Sequence, residues 1–279
     1  MTETSGPLDG PAALLPGRTA VVTGGAGGIG AATCRLFVEH GAQVAVVDVD
    51  ADRARALASD LGDAAFAVVA DVTTDVERIR GEVLARFGTV DVLVNNAGHW
   101  VGQPSGFLEE TPELAERLHQ INFVHVVRMT QAFLPGMVER GRGAIINVSS
   151  IEGLRGYPPG ILYGAYKAAV VQLTRSLGVQ LGGAGVRVNG VAPDVTDSIQ
   201  VPYDRLVRPE HQHLWPTWVP VGRMGDGRDQ ARVILFLASD LSAFLTGHTI
   251  PTDGGTAAAG GWFRSEQRAG GWTNRPISP

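Results

Sequence analysis

The chain carries one cysteine, Cys34, among its 279 residues. A single thiol excludes an internal disulfide and a cysteine-built zinc site, and it fits a reducing, cytoplasmic setting. Cys34 falls in a helical pattern after a glycine loop, which favours buried packing over a reactive thiol. Positive charge is also short: 23 Lys and Arg stand against 28 Asp and Glu, a net charge of -5. That balance gives no electrostatic basis for nucleic acid or an anionic membrane as partner and points to small molecules. The opening stretch, MTETSGPLDGPAALLPG, has neither a basic start nor a long apolar run, so it reads as neither a signal peptide nor a membrane span. Residues 1–16 are expected to form a flexible leader. With 44% hydrophobic and 18% charged residues the chain is globular rather than disordered, and its length suits one large α/β domain, although length alone would permit two.

What is present is glycine, placed with a pattern. From Arg18 the run RTAVVTGGAGGIGAATCRLFVEHGAQVAVVDVD reads as a strand, a glycine loop, a helix and a second strand, a βαβ unit. Gly24, Gly28 and Gly30, with Ile29 between the last two, lie where backbone must turn tightly and approach a ligand just before a helix N-terminus. A pyrophosphate fits there. Asp48 closes the second strand, where a carboxylate can accept from both ribose hydroxyls and repel a 2'-phosphate, favouring NAD over NADP. Asp50 and Asp52 read as caps of the next helix. Asp71 and Val72 end a third strand and either flank an adenine ring or simply make a turn. A fourth strand, VDVLVNNAG, delivers Asn96, Ala97 and Gly98 to the end of the sheet where ligands bind in doubly wound folds.

A second constellation lies in SSIEGLRGYPPGILYGAYK, with a hydroxyl at Ser150, a phenol at Tyr163 and an ammonium at Lys167. On a helix from about Leu162, Tyr163 and Lys167 share a face. A cation there favours the phenolate; bringing tyrosine from about 10 towards neutrality takes roughly 4 kcal/mol. Taken alone, Y-x-x-x-K is more often a stacked surface pair. Tyr166, adjacent to Lys167, points elsewhere and reads as packing or substrate wall.

Together these segments resemble the short-chain dehydrogenase/reductase family. The matching stretches are TGGAGGIG at Thr23 to Gly30, Asp71-Val72, NNAG at Asn95 to Gly98, Asn122 in HQINFVHV, Ser149-Ser150, YGAYK at Tyr163 to Lys167, RVNGVAP at Arg187 to Pro193, and PTDGG at Pro251 to Gly255. The resemblance covers about residues 17–256. It implies a doubly wound Rossmann fold of seven parallel strands with helices on both faces, and interconversion of a secondary alcohol and a ketone with no metal. Tyr163 would carry the proton, Lys167 would lower its pKa and hold the nicotinamide ribose, Ser150 would bond the reacting oxygen, and Asn122 would anchor a water linking Lys167 to solvent. Ser149 is expected to be structural. Pro193, Val195 and Ser198 would add cofactor contacts, although Asp194 stands where the family usually has glycine, which puts that loop's conformation and its contacts in doubt. The family also implies a homotetramer, or a homodimer.

Three segments lie outside the motifs. Residues 198–224 break the strand–helix alternation and occupy the place of a substrate lid. Tyr203, Leu214, Trp215 and Trp218 could roof the site with apolar surface, implying a bulky, apolar substrate. His211 and His213 lack a recognisable third ligand and read as loop histidines, and His99 could line the pocket. The extension 257–279 carries Trp262 and Trp272 and is expected to pack on a neighbouring subunit or near the site mouth, with disorder as the alternative. Two other functions compete: a nucleotide sensor without chemistry, and an epimerase-type reaction on the same scaffold.

Overall fold

The computed structural model describes residues 13–100, 107–202, 207–265 and 272–273. Its centre is a seven-stranded, all-parallel sheet in the order β3-β2-β1-β4-β5-β6-β7. The strands are β1 Thr19–Thr23, β2 Gln43–Asp48, β3 Ala65–Val69, β4 Val92–Asn95, β5 Gly143–Val148, β6 Val186–Pro193 and β7 Thr249–Thr252. Strands β1, β4 and β5 are buried along their whole length, as a parallel sheet covered on both faces requires, so they read as continuous Val, Ile and Ala runs rather than alternating ones. Helices α1 Gly28–Glu39, α2 Ala51–Leu61, α3 Val76–Phe87, α4 Pro112–His119, α5 His125–Glu139 and α6 Ile161–Leu181 connect the strands. One core lies under α1, around Phe37, Val22, Val46 and Ile234, and a second on the opposite face around Met129, Ile79, Leu93 and Ile145.

Cys34 is buried in α1 near the carbonyl of Gly25, and burial pushes its thiol well up, leaving it an inert packing group. Asp50 caps α2 through the Arg53 amide, while α1 starts on Gly27 with no side-chain cap and no acid in its first turn. Its amide donors therefore stay available at the sheet's C-terminal edge.

Strand order reverses between β1 and β4, which opens a crevice beyond their C-terminal ends. Beneath it runs a buried polar rung. Asn95 of β4 donates to Thr130 of α5 at 3.2 Å and to Asn147 of β5 at 2.9 Å, and Asn147 donates to Thr174 of α6 at 2.9 Å. These bonds fix the two strand ends and both helices in one register, since a slipped partner would strand a buried amide.

After β6 the chain is irregular: a 3-10 turn at Pro209–Leu214, a one-turn helix α7 at Trp215–Trp218, then α8 at Gly227–Ala238 behind an Asp226/Asp229 capping box. Arg187 of β6 donates to the carbonyls of Leu237 and Ser239, satisfying the end of α8. Beyond β7, a short helix α9 at Thr256–Ala259 leads to β8, Phe263–Arg264, which pairs antiparallel with β9, Trp272–Thr273. Among the described residues, no helix is long and apolar enough to cross a membrane.

Candidate active site

A cavity of about 340 Å³ opens at the switch point, lined by Gly24, Gly28, Ile29, Asp48, Asp71, Val72, Asn96, Ala97, Gly98 and Ser198. Its floor is shaped by backbone. Gly24 and Gly28 adopt φ of +60° and +48°, a region that penalises any Cβ. Gly30 lies behind the wall rather than in it: a Cβ there would stand 2.0 Å from the Gly24 carbonyl oxygen, so glycine is what lets α1 close on the loop. Asn96 ties this loop to β4 by donating to the carbonyls of Thr23 and Gly24 at 2.9 and 3.0 Å. The Thr23 hydroxyl accepts from the amides of Asn96 and Ala97, at 3.0 and 3.1 Å.

Asp48 accepts from the amides of Ala26 and Asp50, each at 3.0 Å, which aims the carboxylate along the cavity wall. Asp71 accepts from the Thr73 amide and hydroxyl at 2.8 and 2.7 Å. It therefore makes the strand-end turn and, with Val72, also lines the cavity; the two readings are compatible.

A second cavity of about 410 Å³ adjoins the first, and Ile29, Asn96, Gly98, His99, Ser198 and Gln200 line both. Ser150, Tyr163, Lys167, Pro193 and Val195 line the second. Ser150, two residues past β5, is in extended backbone and caps a 3-10 turn, Ile151–Gly153, by accepting from the Glu152 amide at 3.2 Å. Gly153 lets that turn touch α6, since a Cβ there would meet the Lys167 backbone at 2.7 Å. Ser149 donates to the Lys167 carbonyl at 2.8 Å and so fastens β5 to α6. These contacts bring Ser150 and Tyr163 to the wall of one cavity.

Lys167 is buried, and its ammonium donates to the Val148 carbonyl at 3.1 Å. Burial lowers its pKa to about 8. The expected drop in the Tyr163 pKa is not found. Burial pushes the phenol up to about 12, with the neighbouring Ser150 hydroxyl opposing the shift, and the lysine nitrogen lies 5.7 Å from the ring centre.

Asn122 sits in a π-helical turn, Gln120–Val124, between α4 and α5. Its amide donates to the carbonyls of His99 and Leu118 at 2.8 and 3.0 Å, and its oxygen accepts from the His99 amide at 3.1 Å. The side chain thus clamps the His99 backbone. His125, at the start of α5, is fully buried with no hydrogen-bond partner on either ring nitrogen. Burial and the charge of Lys167 lower its pKa to about 3.

The substrate end departs from an apolar chamber. Leu214, Trp215 and Trp218 do not line the catalytic cavity, because α7 turns away: Trp218 packs edge-on against Phe263 of β8 with ring centres 5.5 Å apart. Tyr203 lies outside the described residues, as does the side chain of Trp272. The tail therefore reaches the lid segment through Phe263, while Trp262 remains half exposed. Trp100, Tyr157, Pro159, Glu152, Asp194 and Gln200 form the outer wall instead. Tyr166 stacks near His119, with ring centres 5.2 Å apart, and does not line the cavity. His99 lines it, and His211 and His213 lie exposed on the lid turn.

Asp194 has a structural consequence next door. Its carboxylate accepts from the Val195 amide at 2.9 Å, and Val195 is left at φ +35°, the one positive φ outside glycine among the described residues. A β-branched side chain there is strained. Glu152 and Tyr157 line this cavity without having been singled out from the sequence, and Arg155 and Thr256 hold Asp194 from behind it. The carboxylate two positions after Ser150 was the available signal.

Residues 24–257 match the family model described as enoyl-(acyl carrier protein) reductase. Sorbitol dehydrogenase of Cereibacter sphaeroides is 38% identical over 252 residues, covering 86% of this chain and 98% of the relative. Cis-4-hydroxycyclohexanecarboxylate dehydrogenase of Sinomonas cyclohexanicum is 41% identical over 247 residues, covering 86% and 97%. A solved structure of a short chain dehydrogenase/reductase family protein, 34% identical, superposes with a TM-score of 0.77 over 88% of this chain and 99% of its own. The chain belongs to the short-chain dehydrogenase/reductase family. It is an oxidoreductase of the kind that acts on CH-OH groups.

Proposed function

We propose that the protein is an NAD-dependent dehydrogenase that interconverts a secondary alcohol and a ketone. The observation that carries this reading is the meeting of Ser150, Tyr163 and Lys167 in a cavity continuous with the glycine-walled trough. The trough fits a dinucleotide: the uncapped start of α1 and the Gly24–Gly28 backbone offer amides to a pyrophosphate, and a Cβ on Gly24 would meet Ala97 and Asn96 at 3.0 Å. Asp48 would hold the adenosine ribose, and Pro193, Val195 and Ser198 would face the nicotinamide end. A nicotinamide bound there supplies the hydride donor or acceptor. Tyr163 gives or takes the proton at the substrate oxygen. Ser150 shares the hydrogen bond to that oxygen, steadying charge as it develops. Lys167, at about 8, is poised to pass a proton near neutral pH.

The relatives named for sorbitol and for a hydroxycyclohexanecarboxylate both act on alcohols, which supports the reaction class. A homo-oligomer, a tetramer as the family reading has it, suits the exposed apolar side chains of Phe236, Leu241 and Phe244 around the end of α8. The small-molecule partner and the cytoplasmic setting stand as inferred from charge and cysteine content. The test is reduced-nicotinamide absorbance with NAD or NADP and a panel of secondary alcohols. Turnover with NAD is expected, and Asp48→Ala should narrow the preference for NAD over NADP at least about tenfold in kcat/KM. Tighter use of NADP by the unaltered protein would overturn the cofactor assignment.

A further inference from the structure

The outer wall of the catalytic cavity holds a charged group that the reaction itself does not use. Glu152 follows Ser150 by two residues, Asp194 directly follows β6, and both line the cavity. Arg155 joins them from the side: its Nη2 donates to Glu152 Oε1 at 2.8 Å and to Asp194 Oδ2 at 3.1 Å, and its Nε donates to Glu152 Oε2 at 3.3 Å. Asp194 Oδ2 also accepts from the Thr256 hydroxyl at 2.6 Å, and Oδ1 from the Val195 amide at 2.9 Å. Asp194 is therefore fixed from β5's following turn, from its own loop and from the chain after β7. Arg155 does not line the cavity and its guanidinium is already shared by two carboxylates, so a substrate meets acceptors and not the cation.

The acceptors are not saturated. Each carboxylate oxygen takes up to two hydrogen bonds. Both oxygens of Glu152 and Oδ1 of Asp194 keep one lone pair, while Oδ2 of Asp194 is filled by Arg155 and Thr256. Two carboxylates and one guanidinium leave a charge of -1 on the wall. Such a wall bonds groups that bring O–H donors and opposes a second carboxylate.

We propose that the Glu152–Arg155–Asp194 cluster is the specificity element of this cavity, selecting secondary alcohols that carry further hydrogen-bond donors, polyhydroxylated ones among them, and rejecting alcohols that carry a carboxylate. The proposal rests on reading the cavity as the alcohol site.

The matched probes are 4-(hydroxymethyl)cyclohexanol and 4-hydroxycyclohexanecarboxylate, which differ only in a hydroxymethyl against a carboxylate, with 4-(aminomethyl)cyclohexanol as the cationic member. Turnover with NAD is measured for each, together with calorimetric titration of each into Tyr163→Phe holding NAD, which reads binding without chemistry. The hydroxymethyl compound should be favoured over the acid by about 10- to 100-fold in kcat/KM and in affinity, the range of a hydrogen bond to a charged acceptor. Glu152→Gln should shrink that ratio by about tenfold, mainly through KM, and Asp194→Asn serves as the second variant if Glu152→Gln fails to fold. Equal or better use of the acid, weaker binding of the cation than of the acid, or a ratio unchanged in a folded variant would overturn the proposal while leaving the dehydrogenase reading intact. Absence of turnover with the expected ranking in the titrations would sink the dehydrogenase reading and keep this one. Absence of binding by all three would sink this proposal.

Discussion

The two ends of the trough are built by opposite means. At the dinucleotide end the shape is made by main chain: positive φ at Gly24 and Gly28, and helix α1 pressed onto the loop at Gly30. At the substrate end it is made by side chains from distant segments, with Arg155 reaching Asp194 across 39 positions and Asp194 reaching Thr256 across 62. A surface made of backbone has few ways to vary. One made of side chains can change its ligand by a single substitution, without disturbing the scaffold that carries the chemistry.

Replacing chemistry while keeping shape gives the largest expected effect. Tyr163→Phe should lower turnover by at least about a thousandfold, with NAD affinity measured by titration kept within about threefold. Substantial residual turnover would remove Tyr163 from the acid/base role and break the division between the two ends. Next in size is Gly30→Ala, whose methyl would meet the Gly24 carbonyl oxygen at 2.0 Å. A loss of about 3 kcal/mol in denaturant unfolding is expected, together with weaker dinucleotide binding. Gly81→Ala in α3, where a Cβ meets nothing within 4 Å, is the control and should stabilise by about 0.5–1 kcal/mol. Equal effects at the two glycines would mean that the loop yields.

Acid should find the buried histidine beneath the site. The pKa of His125 falls from 6.5 to about 3 on folding, so its stabilising contribution is complete above pH 6.5 and is lost as pH falls towards 3. Between pH 6.5 and 5 the loss is about 2 kcal/mol, and His125→Gln should flatten that part of a plot of unfolding free energy against pH. The same slope in wild type and variant would show that His125 titrates normally. The smallest effect belongs to Val195: relief of its φ of +35° by Val195→Gly should raise stability by about 1 kcal/mol, read as a rise in Tm. A fall in Tm would place the main value of this side chain in packing.

Legibility in the sequence followed the same division. The strands were readable because a buried parallel sheet leaves uninterrupted apolar runs, and the glycine loop because only glycine tolerates its dihedrals and its contacts. Ser150, Tyr163 and Lys167 were readable as a set only beside the glycine loop, NNAG and Asn122, since the helical spacing of Tyr163 and Lys167 alone fits a stacked pair equally well. The π turn that holds Asn122 carries no propensity signal, since it is set by how α4 and α5 pack. The lid was misread for a related reason: Leu214, Trp215 and Trp218 are apolar, but Phe263 from the tail draws Trp218 away from the cavity. Tyr163 was expected to be acidified by a lysine one turn away, yet spacing does not reveal how deeply both groups are desolvated.

The position of β1 at the reversal of strand order also sets a timetable. Its two sheet neighbours are β2 and β4, so the residues that tie the Gly24 loop to the sheet are in place once Ala97 has been added to the growing chain, while Ser198, which lies against Gly28, comes later. The outer wall of the catalytic cavity waits for Thr256, far later in translation. A nascent chain of this protein can therefore fix its glycine loop on the sheet long before the outer wall of the second cavity is complete.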